Sequence, residues 1–208
     1  MSSLQMLTLI ERSFNICRMR HKDEHKNQAI FDATIQLINE VGFADVSMSK
    51  IAKRAGLSSA TIYVYYESKE DLLLKLYLNV KEKMSRTLVA TIHEGMDSKQ
   101  VCYTFMKNAL DFMIQNKDWF LFIEQFSASP FVHKLCLDDT KPMFEPLLAY
   151  FQSGTEKGEL KQARSELLAS YCYLPLVQIA KSYYEDPSMA YEEERNTVFL
   201  LSWDAIRS

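Results

Sequence analysis

The chain is 208 residues long and 48% apolar, enough to bury at least one sizeable core, either as one domain or as a small head on a larger body. Its apolar stretches are short and interrupted by charges such as Lys75, Lys81 and Glu124, which argues against a membrane-spanning helix. Its cysteines, Cys17, Cys102, Cys136 and Cys172, form no Cys-x-x-Cys pair, which argues against a zinc knuckle or a disulfide framework. The formal net charge of −3 divides unevenly: residues 1 to 69 hold 9 Lys/Arg against 7 Asp/Glu and the remainder holds 15 against 20, so charge alone does not identify a nucleic-acid partner.

Apolar residues recur at helical spacing nearly everywhere and no β-alternating run interrupts them, so an all-α fold is predicted. Residues 1–23 are read as an N-terminal extension and a candidate for disorder. The segment Met1 to Arg20 lacks the basic start and the cleavage site of a signal peptide, and a cytoplasmic, reducing location is expected. A first helix is predicted from Glu24 to Val41, with Ile30, Ala33, Leu37 and Val41 on one stripe and Gly42 as its left-handed stop. Ser47 caps a short second helix, Gly56 breaks the chain near Ala55, and Ser58 caps a third helix ending near Tyr66. Ser68, with Asp71 three residues later, opens a long fourth helix whose apolar face runs through Leu73, Leu76, Val80, Met84 and Leu88 towards Gly95.

Further helices are expected at Ser98 to Gln115, Trp119 to Ala128, Lys141 to Lys157, Glu166 to Tyr184 and Pro187 to Ile206. Ser165 should cap the fourth of these, and Asp186 with Pro187 should open the last. Pro146 and Pro175 fall inside two apolar helical patterns and predict a kink or a boundary at each.

Two short helices joined by Ala55-Gly56-Leu57-Ser58 have the length and composition of a helix-turn-helix. Stepping 100° per residue from an inward Ile62 places Ser58 and Tyr66 on the inner side and Ala60 and Val64 opposite, flanked by Thr61 and Tyr63. Thr61 can donate, accept or offer a methyl group to a base edge, whereas Ala60 and Val64 can make apolar contacts only. The hydroxyls of Tyr63 and Tyr65 suit phosphate oxygens, and Lys69 with the amides opening the fourth helix makes a phosphate clamp. Ser47, Ser58 and Ser59 complete the candidate DNA-binding set.

The run from Ile30 to Leu72, with Gly42-Phe43, Ser47-Met48, Ile51-Ala52, Ala55-Gly56-Leu57-Ser58, Thr61-Ile62-Tyr63 and Ser68-Lys69-Glu70-Asp71-Leu72, resembles the DNA-binding head of TetR-type repressors. The resemblance implies backbone-phosphate contact for Tyr63 and Lys69 and groove contact for Ser59, Ala60, Thr61, Val64 and Tyr65. The sequence departs from the family at Ala60, where Gly is frequent, at Val64, where an aromatic is frequent, and at Tyr65-Tyr66, where His-Phe is frequent. These departures bear on the operator sequence and leave the fold expectation intact.

The implied organisation is a helix-turn-helix domain over 24–70 followed by a helical ligand-binding and dimerisation domain over 71–208. The resemblance also implies a homodimer formed by the last two long helices, for which Leu174, Ile179, Val198, Phe199 and Trp203 are the candidate interface residues. Phe105, Phe112, Trp119, Phe122, Phe126, Phe144, Phe151 and Tyr171 are candidates for an effector cavity suited to an apolar or aromatic molecule, although aromatic stripes at helical spacing usually form core.

Double-stranded DNA, a second copy and a small effector are thus the expected partners, with no membrane association and no cofactor. The rival reading is a helical interaction module that keeps the helix-turn-helix as scaffold. Enzyme chemistry is not expected, because none of His21, His25, His93 and His133 lies in a metalloprotease pattern and there is no phosphate loop or nucleophile elbow. His21 and His25 are spaced for a shared helix face, but on a charged chain end a metal site is not expected there.

Overall fold

The computed structural model describes the backbone of residues 3–127, 129 and 140–208, and side chains within these from residue 23 onward. The helices are α1 (Ser3–Asp45), α2 (Met48–Arg54), α3 (Ser59–Tyr65), α4 (Lys69–Val89), α5 (Ser98–Gln115), α6 (Lys117–Ser127), α7 (Lys141–Glu156), α8 (Ser165–Glu185) and α9 (Tyr191–Ile206). Among the described residues the one extended pairing is an antiparallel bridge between Leu160 and Arg207. The chain divides within α4 into two compact units, Met1–Leu76 and Tyr77–Ser208. His133 and Cys136 lie outside the described residues, as do the side chains of Cys17 and His21 and the side-chain detail of the expected extension.

In the first unit, Ile30, Ala33 and Leu37 are buried as their spacing requires, together with Phe31, Ile35 and Ile38. Val41 is instead 44% exposed, because Gly42, at φ +75°, turns the chain out of helical geometry just after it. Helix α1 begins at Ser3, well before the predicted Glu24. At the start of α4 the Ser68 hydroxyl accepts from the Asp71 amide at 3.1 Å, while the Asp71 carboxylate reaches back to the Glu67 amide at 3.1 Å. The cap thus spans one residue more than a simple capping box.

The end of α4 corrects the expectation of a helix reaching Gly95. Asn108, buried on α5, donates to the Leu88 carbonyl at 3.2 Å and to the Thr91 hydroxyl at 3.1 Å, and the amides of Ala90 and Ile92 close tight turns instead of continuing the helix. With the Leu88 carbonyl taken by Asn108 of α5 and those of Thr87 and Val89 by the tight turns, α4 stops at Val89.

The second unit is built on α5, whose Asp97 and Gln100 form a reciprocal capping box and whose Ser98 amide also donates to the Glu159 carboxylate at 3.0 Å. The Ser98 hydroxyl first, and this amide with it, hold the Glu159 carboxyl below its usual value. Phe105, Phe120, Phe122, Phe126 and Phe151 are all fully buried and form the aromatic centre of this unit. Helices α7 and α8 run through Pro146 and Pro175 without a boundary. Two helix starts also differ from expectation. Helix α8 opens at Ser165 with no side-chain cap bond at the preceding Arg164. Helix α9 opens at Tyr191, because the Asp186 carboxylate accepts from both the amide (3.0 Å) and the hydroxyl (2.6 Å) of Ser188 and so stabilises a turn over Asp186 to Ser188.

Gly154 of α7 is required by packing alone. A Cβ added there would lie 2.4 Å from Ser98 Oγ and 2.7 Å from Leu160 Cδ1. Gly154→Ala should therefore cost about 1 to 3 kcal/mol, the range for overpacking a tight contact, read as a lowered midpoint in urea or thermal unfolding.

Candidate nucleic-acid interface

Helix α2 is fixed by Ser47, whose side chain accepts from the Lys50 amide, and by the burial of Met48, Ile51 and Ala52. Its end forms a Schellman closure in which the Leu57 amide reaches the Ala52 carbonyl at 2.9 Å and the Gly56 amide reaches the Lys53 carbonyl at 3.3 Å. Gly56 makes this possible with φ +67°, and a Cβ there would meet nothing within 4 Å. The cost of a side chain is thus purely conformational, and Gly56→Ala should destabilise the head by about 1 to 2 kcal/mol while leaving its packing intact.

Helix α3 is held by Ser58, which accepts from the Thr61 amide at 3.1 Å, and by the fully buried Ile62; Tyr66 just beyond it is 3% exposed. With the inner side so fixed, the outer side is open: Val64 is 79% and Tyr63 57% exposed, and Ser59 and Ala60 are exposed beside them. Thr61 lies at the edge of this surface, its hydroxyl 2.9 Å from that of Ser58. Ser47 and Ser58 serve as caps with their hydroxyls already engaged, so any DNA contact from them competes with the helix starts they hold.

Two predicted contacts are committed elsewhere. The Tyr65 hydroxyl donates to the Asp23 carboxylate at 2.7 Å, and that bond raises its ionisation above the ordinary value. The Lys69 ammonium donates at 2.7 Å to both the Phe43 and Val46 carbonyls, in the link that follows the break at Gly42. One of its three protons remains for a phosphate, so Lys69 is first a brace for the link between α1 and α2.

The sequence reading missed Lys53 of α2, which is exposed and has no ion-pair partner among the described residues. Arg54 next to it is occupied by a two-pronged pair with Glu40 at 2.8 and 2.7 Å, which holds the Glu40 carboxyl below its usual value. An exposed lysine on a short helix carries no sequence signal of its own; only the absence of a partner marks it.

The second unit has surface features of its own. A cavity of about 540 Å³ is bordered by Tyr77, Lys81, Phe105, Phe144 and Tyr173, a size within the range of small-molecule sites. Of the aromatic residues expected in an effector cavity, Phe105 and Phe144 line this one. Phe122, Phe126 and Phe151 are buried core, Phe112 and Trp119 border a second cavity of the same volume, about 540 Å³, and Tyr171 points outward at 53% exposure.

A further feature is an exposed apolar face on the paired helices α8 and α9. Leu167, Tyr171 and Leu174 follow at i, i+4 and i+7, and Leu200 and Leu201 join them at 56% and 67% exposure. Of the expected interface residues Leu174 lies on this face, at 63% exposure. Ile179 and Phe199 pack inside the protomer instead, Phe199 edge-on against Tyr103, and Val198 and Trp203 are half-buried.

Residues 30–76 match the family described as Bacterial regulatory proteins, tetR family, and residues 99–207, just over half of the chain, match the one described as Tetracyclin repressor-like, C-terminal domain. The Fatty acid metabolism regulator protein of Bacillus subtilis is 44% identical over 61 residues, which span 29% of this chain and 30% of that protein. Among solved structures, a TetR family transcription regulator from Marinobacter aquaeolei VT8 superposes with a TM-score of 0.82 at 25% identity, covering 91% of this chain and 99% of that one. The transcriptional regulator FadR from Bacillus subtilis, solved in complex with stearoyl-CoA, superposes with a TM-score of 0.68 at 20% identity, covering 84% and 96% of the two chains. With both its head and its larger helical unit matched, this chain belongs to the TetR family of DNA-binding, ligand-responsive transcriptional regulators.

Proposed function

We propose that this protein is a repressor in the cytoplasm that binds a pseudo-palindromic operator as a homodimer and is released by a small molecule with a large apolar part. The observation that carries the DNA-binding reading is the outer surface of α3, where Ser59, Ala60, Tyr63 and Val64 are exposed while Ile62 and the caps fix the helix from behind. A seven-residue helix is short enough to enter a major groove along its whole length, about 10 Å at 1.5 Å per residue. In this reading Thr61, Ala60 and Val64 meet base edges, and Tyr63, Lys53 and the remaining proton of Lys69 meet phosphates.

The exposure of Leu167, Tyr171, Leu174, Leu200 and Leu201 on two helices packed against each other supports the homodimer, since a monomer rarely leaves so many large apolar side chains in water. A two-fold dimer would present two copies of α3 to half-sites about one helical turn apart. An effector in the second unit acts by favouring a dimer whose α3 helices do not match that spacing. The chain contains no helix, among the described residues, long and apolar enough to cross a membrane.

The test is a fluorescence-anisotropy titration of the full chain against duplex from upstream of its own gene. Lys53→Ala should weaken specific and unrelated duplexes alike and flatten the dependence of log affinity on log salt by roughly one unit. Thr61→Ala should lower the preference between them. Lys69→Ala should also lower the thermal midpoint, because its carbonyl contacts are lost. Binding indifferent to Lys53, Thr61 and Lys69 would defeat the assignment of α3, and no specific binding by the parent chain would favour the scaffold reading.

A further inference from the structure

The cavity lined by Tyr77, Phe144 and Tyr173 contains a lysine that none of the described carboxylates pairs with. Lys81 projects from α4 with its ammonium 5.0 Å from the centre of the Phe144 ring and 5.7 Å from that of Tyr77, and no carboxylate among the described residues lies within ion-pair distance. The carboxylate that most affects it, Glu124, is already bonded to Lys181 at 3.0 Å. Burial lowers the proton affinity of Lys81 and Glu124 partly restores it, so the ammonium in this poorly hydrated place is steadied by the field of Glu124 together with the Phe144 and Tyr77 ring faces. Tyr173, on the same cavity, is a second donor: burial pushes its pKa up and so keeps the hydroxyl protonated, and the hydroxyl has no hydrogen-bond partner among the described residues.

Two donors without acceptors, set among Met84, Leu88, Phe105 and Leu147, are complementary to one acidic group on an apolar body. We infer that the effector is an amphipathic monocarboxylate, its carboxylate taken by Lys81 and Tyr173 and its chain or ring system lying against the apolar wall. The inference rests on the reading of this cavity as the effector site. Lys141, Glu145 and Glu166 also border the cavity, so its rim offers no net positive charge to a ligand with several negative groups, which favours a free acid over a nucleotide-bearing thioester.

The experiment is calorimetric titration of the full chain at neutral pH with dodecanoate, 1-dodecanol and dodecanoyl-CoA, each below its micellar concentration. Dodecanoate should bind about tenfold or more tightly than the alcohol, the gain of one charge-assisted contact, and more tightly than the thioester. Lys81→Met, which keeps the apolar stem, should bring the acid down to the level of the alcohol; circular dichroism checks that the variant is folded. An alcohol or thioester that binds as tightly as the acid, no binding of the acid, or a preference that survives Lys81→Met overturns the inference. Ala169→Trp, which fills the cavity, separates this from failure of the underlying reading: acid binding that persists in that variant means the cavity is not the site at all.

Discussion

The double variant Leu174→Asp/Leu201→Asp should be monomeric and should bind operator at least about a hundredfold more weakly than the parent. Both side chains are more than 60% exposed in the protomer, at 63% and 67%, so the change removes little packing within one chain. In a two-fold dimer each substitution occurs twice, and four carboxylates would lie in an interface built from Leu167, Tyr171 and Leu200, where a desolvated charge without a partner is strongly unfavourable. Once the subunits separate, the second head no longer binds as a tethered neighbour, and avidity of about 10² to 10⁴ is lost without touching α3. Light scattering on the eluted protein reads the mass and anisotropy reads the affinity. A dimer that survives the double change would move the interface elsewhere.

Val64→Asp should abolish specific binding while leaving the head folded. Val64 is 79% exposed, and surface replacements of this kind usually shift stability by no more than about 0.5 kcal/mol. In the complex, however, the same position faces base edges between two rows of phosphates, where an added carboxylate meets like charge and costs several kcal/mol. The predicted signature is a normal unfolding midpoint with an affinity lowered by more than about a hundredfold. Ile62→Ala would also reduce binding, but by emptying a fully buried site, so its loss would follow a lowered midpoint. The contrast between these neighbours separates a recognition surface from a helix that merely has to fold.

The parts of this structure legible in the sequence are those decided locally. Ser47, Ser58 and Asp97 are capping residues with the right successor spacing, and Gly42 and Gly56 occupy the left-handed backbone positions where glycine is favoured. The outward side of α3 followed from one inward residue and the helical repeat, because a seven-residue helix with a single anchor, Ile62, leaves no second choice of face.

The long-range commitments were not legible. Nothing in the neighbourhood of Lys69 announces that its ammonium will serve the carbonyls of Phe43 and Val46, or that Tyr65 will reach Asp23. In α8 and α9 both sides are apolar, one for the core and one for the exposed face, so periodicity could not tell Ile179 and Phe199 from Leu200 and Leu201. Lys81 was the most deceptive, since a lysine interrupting an apolar run reads as a solvated charge until its aromatic neighbours are known.

The most direct test of the central claim is site-specific photo-crosslinking with a benzophenone amino acid in place of Val64, and in separate preparations in place of the exposed Glu94 of the second unit. With duplex from upstream of the gene, illumination should join the DNA to the chain carrying the probe at Val64 and not to the one carrying it at Glu94. Equal adducts at both positions, or none at Val64 from a preparation that still binds the duplex specifically, would contradict a groove-facing α3.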